Sequence, residues 1–344
     1  MICFAWWGFP QYAARCIGAF VKGASERVVV LATRPAVPIE GMEDLCKCQV
    51  IWVEENDQRS ITDLVGEIPK VIFTSGWCIP AFNRYCDEVR RDNGLVFAMV
   101  DNNYVPSIKE TLRALRFRLF LCNKFNGFLV PGNSGVRLLK AYGVDEKLIV
   151  KGMYSADGSI FKNGLSLCRR DKKIIYVGQF IERKNVRRMV MAFAKANESV
   201  GGDWILDLYG CGSLQGELER MGTQGVKIHA FVQPEQLAGL YREARIFCLP
   251  SIEEHWGLVV HEAALSGCVL LLSNKVGAGE DLLGASNGFS FDPKSESEMI
   301  VAFRKAMSMS EDSLTKAHQE SLALAKTVSI DRFVIGINAL LSMR

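Results

Sequence analysis

Short apolar runs alternate with amphipathic stretches along nearly the whole chain, and nothing else in it restricts the fold as much. The spacing predicts strands over Ile2–Trp6, Arg27–Ala32, Gln49–Val53, Val71–Phe73, Leu95–Val100 and Gly127–Val130 in the first half. In the second half it predicts them over Lys173–Val177, Ile205–Tyr209, Val226–Ala230, Ile246–Leu249 and Val269–Ser273. The stretches between have helical periodicity. Repeated strand–helix–strand order is the pattern of parallel sheets covered on both faces, a doubly wound α/β architecture. A chain of 344 residues has room for two such domains, each with its own core. The apolar pattern breaks near Asp157 to Lys172, at Gly158, Gly164 and the run Arg169-Arg170-Asp171-Lys172-Lys173. A boundary there gives Rossmann-like domains over 1–165 and 166–328. The last helical run, Ile330 to Leu341, follows the final strand and is expected to cross back to the first domain within 329–344. Ligands of such folds sit at the carboxyl ends of the strands, here expected in a central cleft faced by both domains.

Charge and cysteine usage exclude several classes. The net charge of +3 is too small to make nucleic acid the main partner. Eleven cysteines are scattered, mostly within apolar runs, where a free thiol acts as a small hydrophobe. Cys46-x-Cys48 is no zinc spacing and has no second pair. Reduced thiols in a cytoplasmic protein are the expectation. Met1–Trp7 lacks a basic leader and a small-residue cleavage site, so a first strand is expected rather than a signal peptide. No run approaches the roughly 20 apolar residues that span a bilayer, so the protein is expected to be soluble or at most peripheral.

The chemistry concentrates in Pro250–Ala263. A strand-like run ends at Pro250-Ser251, and a helix-like run begins at Leu258, with Glu254 before it and Glu262 inside it. A helix start offers free N–H groups that suit a phosphate. Glu262, on the first turns, is placed to accept from both hydroxyls of a ribose, at roughly 1.5–3 kcal/mol per charge-assisted bond. Gly257 lets backbone approach a ligand closely. A lone Glu-x7-Glu is more often a solvated helix face; the surrounding residues change that balance.

Those residues follow one another in order: Tyr176-Val177-Gly178-Gln179-Phe180-Ile181-Glu182-Arg183-Lys184-Asn185, then Gly210-Cys211-Gly212, Phe231-Val232, Glu254-His255-Trp256-Gly257-Leu258, Glu262-Ala263 and Asn287-Gly288. Together they resemble the sugar-donor domain of retaining, nucleotide-sugar-dependent glycosyltransferases of family 4, the two-domain GT-B type. Val130-Pro131-Gly132-Asn133-Ser134 and Gly143-Val144 look like the end of that family's acceptor domain. The resemblance covers about two-thirds of the chain. It implies a retaining hexosyltransferase that moves a sugar from a nucleotide-diphosphate sugar, a UDP-sugar first and a GDP-sugar as the alternative. The acceptor would be a glycan or lipid-linked oligosaccharide of bacterial surface polysaccharide, such as lipopolysaccharide. A nucleotide-sugar epimerase and a non-catalytic nucleotide-sugar binding module of the same fold are the other readings.

Carried onto this chain, the resemblance assigns catalysis to Glu254, Lys184 and Asp101. It assigns the sugar donor to Glu262, Trp256, Gly257, Leu258, Gly178, Gln179, Arg183, Gly210, Gly212 and Val232. Gly8, Trp7 and Asn102 fall on the acceptor side. No Asp-x-Asp occurs, so Lys184 and the amides at Trp256-Gly257-Leu258 are expected to hold the leaving diphosphate without a metal or any other cofactor. Two departures stand out. Gln179 occupies the family's usual Arg position, with Arg183 as the candidate substitute. Asp101-Asn102 ends a strand near which many members carry a His, whereas all four His here lie in the second half.

Ser107-Ile108-Lys109-Glu110 reads as a capping box opening a helix. Lys109, Arg113 and Arg116 recur on one side, and Ile108, Leu112, Leu115, Leu119 and Cys122 on the other. From Asn102 to Val144 there are seven basic residues and one acid. Such a helix either packs its apolar side on a core or docks on an anionic membrane surface. Because the resemblance brings lipid-linked acceptors with it, an anionic membrane at the inner face of the cytoplasmic membrane is the expected partner.

Overall fold

The computed structural model describes residues 1–35, 41–161 and 165–343. Gly164, part of the interruption noted above, lies outside them. The chain divides into two compact units, Met1–Ser155 with Ser329–Arg344, and Ala156–Val328.

The first unit is built on seven strands: β1 (Ile2–Trp6), β2 (Val28–Ala32), β3 (Gln49–Trp52), β4 (Val71–Ser75), β5 (Leu95–Met99), β6 (Gly127–Val130) and β7 (Ile149–Lys151). They run in the order β3-β2-β1-β4-β5-β6-β7, with every pair parallel. Parallel strands buried on both faces need side chains that fill space in both directions, and β-branched and aromatic residues supply them. Phe4, Phe73 and Phe97, on the adjacent strands β1, β4 and β5, stack at 5.0 Å between neighbouring rings. Helix Ile330–Leu341 belongs to this unit and buries Phe333, Ile337 and Leu340 completely.

The second unit has six strands: β8 (Asp171–Val177), β9 (Ile205–Tyr209), β10 (Val226–His229), β11 (Ala244–Leu249), β12 (Val269–Ser273) and β13 (Gly288–Phe291). Their order is β10-β9-β8-β11-β12-β13, again all parallel. Each sheet reverses direction of growth once, between β1 and β4 and between β8 and β11. At such a switch point the loops leaving neighbouring strands diverge and leave room for a ligand.

Two strands are additions to the sequence reading. Both β7 and β13 lie at a sheet edge and are short, so they lack the long apolar run that marks a central strand. The boundary also moves, from within Asp157–Lys172 to between Ser155 and Ala156. Residues at the expected boundary are packed. Leu167 is fully buried, and Phe161 is set edge-on against Tyr241 at 5.9 Å. Arg170, taken from sequence as part of a charged break, is 3% exposed. Its guanidinium donates to the carbonyls of Leu165 (2.8 Å), Tyr241 (3.2 Å), Ala244 (2.9 Å) and Ser266 (2.6 Å). A buried cation is tolerable when its N–H groups find acceptors, and here these four carbonyls and Cys268 Sγ, at 3.7 Å, provide them.

The basic helix, Ile108–Phe120, buries Glu110 and Phe117 and leaves Ile108, Leu112, Leu115 and Leu119 exposed. The core-packed alternative for its apolar side is therefore excluded. Only half of the expected capping box forms: the Ser107 hydroxyl accepts from the Glu110 N–H at 3.1 Å, while the Glu110 carboxylate turns inward to the Tyr142 hydroxyl. All eleven cysteines are free thiols.

Candidate functional site

The switch point of the second unit gathers most of the sequence-predicted residues. The loop after β8 carries Gly178, Gln179, Arg183 and Lys184, and the loop after β11 carries Glu254, Trp256 and Gly257. The two are tied by backbone and side chain alike. Ile252 N–H donates to the Arg183 carbonyl at 2.8 Å, and the Arg183 guanidinium returns a bond of 2.7 Å to the Glu253 carbonyl. Lys184 ammonium pairs with Glu254 Oε2, the side chains being 11% and 12% exposed. The same oxygen accepts from the Ser251 hydroxyl at 3.0 Å, with Arg183 a further 4.0 Å away.

Glu254 is held from behind as well. Its N–H donates to the Lys275 carbonyl and its carbonyl accepts from Gly277 N–H, each at 3.2 Å, in an isolated parallel bridge with Val276. A carboxylate fixed in this way orients the ammonium. Lys184 has three N–H groups, and Glu254 is its one protein partner among the described residues. Two donors are left for oxygens of a ligand. The sequence reading had Lys184 and Glu254 acting separately; here they form one device.

Asn185, missed in the sequence, completes the arrangement. It adopts a left-handed conformation (φ 58°) and opens helix Val186–Ser199. Its amide donates to the carbonyls of Pro250 (3.2 Å) and Pro293 (2.8 Å), joining the ends of three connections. The one signal available was an Asn beside a charged turn, since Asn tolerates positive φ better than most residues.

The Gly210-x-Gly212 turn is shaped by close backbone packing. A Cβ on Gly210 would lie 2.0 Å from the Gly178 carbonyl oxygen, and one on Gly212 2.4 Å from that of Phe180. The glycines let the β9 loop pass against the backbone of the β8 loop, so they shape the site by packing. Gln179 is exposed, and its carbonyl accepts the Tyr176 hydroxyl at 2.8 Å. Val232 is half-buried in the loop after β10, beside exposed Phe231.

Helix Leu258–Leu265 starts from Gly257 at φ 90°, and no side chain caps it. Its leading amides therefore keep their capacity for an anion. Leu258 stands half-buried at this start. Trp256, expected to meet the ligand, is fully buried and is a core side chain; its indole N–H has no hydrogen-bond partner among the described residues.

One turn on, Glu262 is 8% exposed and accepts from the Tyr241 hydroxyl at 3.2 Å through Oε2. Tyr241 is fully buried and orients the carboxylate. Burial pushes the Glu262 carboxyl up to about 7, with the Tyr241 bond opposing the shift. Neighbouring His261 is completely enclosed between the Ala156 N–H (3.1 Å) and the Ala325 carbonyl (2.9 Å), and burial lowers it to about 4. It is a neutral pin that fixes the helix bearing Glu262.

In the first unit, Trp7 and Gly8 follow β1. Trp7 is 57% exposed; its N–H donates to the Ser75 hydroxyl (2.8 Å) and its indole N–H to Glu55 (2.6 Å). Gly8, at φ 58°, donates to the Thr33 hydroxyl at 2.7 Å. Both line a concavity of about 660 Å³ with Tyr12, Arg34 and Glu54. Asp101, after β5, accepts from the Tyr154 hydroxyl at 3.4 Å, and Tyr154 packs on Tyr12 at 5.0 Å. Asn102 is exposed.

Known proteins bear on this geometry. Residues 161–321 match the family model described as glycosyl transferases group 1. An uncharacterized glycosyltransferase of Methanocaldococcus jannaschii, MJ1607, is 25% identical over 153 residues, 43% of this chain and 39% of that protein. The glycogen synthase of Mycobacterium tuberculosis is 24% identical over 185 residues, 47% of this chain and 43% of that one. The matched segments thus span about two-fifths of each curated relative. Among solved structures, HepE (Alr3699) of Anabaena in complex with UDP superposes with a TM-score of 0.78 at 14% identity, over the full length of both chains. The chain has the GT-B fold, and its residues 161–321, which hold Lys184, Glu254 and Glu262, match the group 1 glycosyl transferases.

Proposed function

We propose that the protein is a glycosyltransferase whose second unit binds a nucleoside-diphosphate sugar. The observation that carries this reading is the Lys184–Glu254 pair beside an uncapped helix start, with buried Glu262 one turn into that helix. Fixed cations and amides suit a diphosphate, and a carboxylate with one oxygen left over suits vicinal hydroxyls. HepE was crystallised with UDP, which favours a UDP-sugar over a GDP-sugar.

In this reading the bond between the anomeric carbon and the leaving diphosphate oxygen breaks, and an acceptor hydroxyl oxygen bonds that carbon with retention. The acceptor proton goes to the departing phosphate, so no protein base is required. Lys184 and the amides of Gly257 and Leu258 stabilise the charge that develops on the diphosphate, with no divalent ion. Glu254 holds Lys184 and lies beside the transferred sugar. The concavity of Trp7 and Gly8, with Asp101 and Asn102 in the same unit, is the acceptor side, for a glycan or lipid-linked acceptor of surface-polysaccharide assembly. The test is release of nucleoside diphosphate from candidate nucleotide sugars. Release that depends on acceptor supports transfer; interconversion of the sugar without acceptor, or binding with no turnover, refutes it.

A further inference from the structure

Helix Ile108–Phe120 presents its apolar residues outward. With 3.6 residues per turn, Ile108, Leu112, Leu115 and Leu119 fall within an arc of about 60°. They are 84%, 62%, 53% and 64% exposed. On the opposite side Phe117 is buried, packed on Trp77 and Tyr142 with ring centroids 4.7 and 5.4 Å away. Lys109, Arg113 and Arg116 border the stripe on one flank and Arg118 on the other, all exposed. The helix has one acid, Glu110, which is buried against the Tyr142 hydroxyl and Arg113. The outward face is thus an apolar stripe edged by cations, with no outward carboxylate.

We propose that this helix docks flat on an anionic lipid bilayer. Its 13 residues are too few to span a membrane, but an interfacial helix needs only an apolar face to sink below the headgroups and cations at its edges to meet lipid phosphates. Charge chooses the occupant. A second copy laid on the stripe would bring two sets of these cations together, in a segment with seven basic residues and one acid. An anionic surface pairs with them instead. The proposal concerns the first unit alone and stands whether or not the second unit transfers sugar.

The experiment is co-sedimentation of the full chain with vesicles of phosphatidylglycerol and phosphatidylcholine, and with phosphatidylcholine alone. Wild type should bind the anionic vesicles, leave them at about 0.5 M salt, where screening is complete within a few ångströms, and ignore the zwitterionic ones. Each basic residue near an anionic surface is worth about a fivefold change in affinity, so K109S/R113S/R116S should bind on the order of 100-fold more weakly. The double variant K109S/R116S, which keeps the Arg113–Glu110 pair, should lose about 25-fold. L112S/L115S/L119S should also lose binding with an unchanged melting temperature, because the residues replaced are exposed. Failure of wild type to bind anionic vesicles overturns the proposal, as does equal binding to both vesicle types or by the variants. A wild-type dimer that L112S/L115S/L119S converts to monomer would overturn it in favour of a second copy.

Discussion

Replacing Glu262 by Gln separates what this residue does for the fold from what it does for a ligand. Burial raises its carboxyl from 4.5 to about 7. The folded state therefore holds the proton more tightly than the unfolded chain. The stability this contributes is full below pH 4.5 and is lost as pH rises through 7. Between pH 5 and 8 the loss amounts to about 2–3 kcal/mol, at 1.36 kcal/mol per unit. Gln keeps the shape and the bond with Tyr241 without a charge to desolvate. Relative to wild type, E262Q should gain stability between pH 5 and 8, visible as a melting temperature moving by roughly 5–10 °C in its favour. His261, lowered to about 4, works oppositely: its contribution is present above pH 6.5 and fades as pH falls toward 4. Both proteins contain His261, so it cancels in the comparison. The assay is thermal unfolding of ligand-free wild type and E262Q across this range. A stability difference that does not change with pH would refute the claim that Glu262 is a desolvated carboxylate kept for a ligand. In the same series E262Q should bind nucleoside diphosphate about tenfold more weakly, since a charge-assisted bond is roughly twice a neutral one.

K184M should lower turnover by about 10²–10³, as expected for a group acting on developing charge; steady-state kinetics checks this, and a loss confined to KM would contradict it. R170M should lower the melting temperature by roughly 6–12 °C, at least about 3 kcal/mol, because the carbonyls of Leu165, Tyr241, Ala244 and Ser266 would lose a buried donor. Transfer activity should persist in EDTA, and a strict need for Mg²⁺ or Mn²⁺ would refute the role given to Lys184.

The parallel sheets were legible because buried parallel strands must be apolar on both faces, and β1, β6, β9 and β12 coincide with the expected runs. Edge strands β7 and β13 carry no such mark. Arg170 shows the limit of reading charge as exposure: a guanidinium enters a core when peptide carbonyls surround it, and no local pattern announces those carbonyls. Glu254, Lys184 and Glu262 could be named from order and spacing. Their partners could not, because Ser251 and Tyr241 act through contacts made by folding, as does Asn185 on the neighbouring carbonyls of Pro250 and Pro293. The amphipathic helix was visible as a pattern, but only its packing through Phe117 decides which side faces out.

Calorimetric titration of UDP into the wild-type protein and E262A tests the central claim most directly. The account predicts one site per chain in wild type, weakened at least tenfold in E262A, with folding retained. UDP binding of equal strength to both proteins would contradict it.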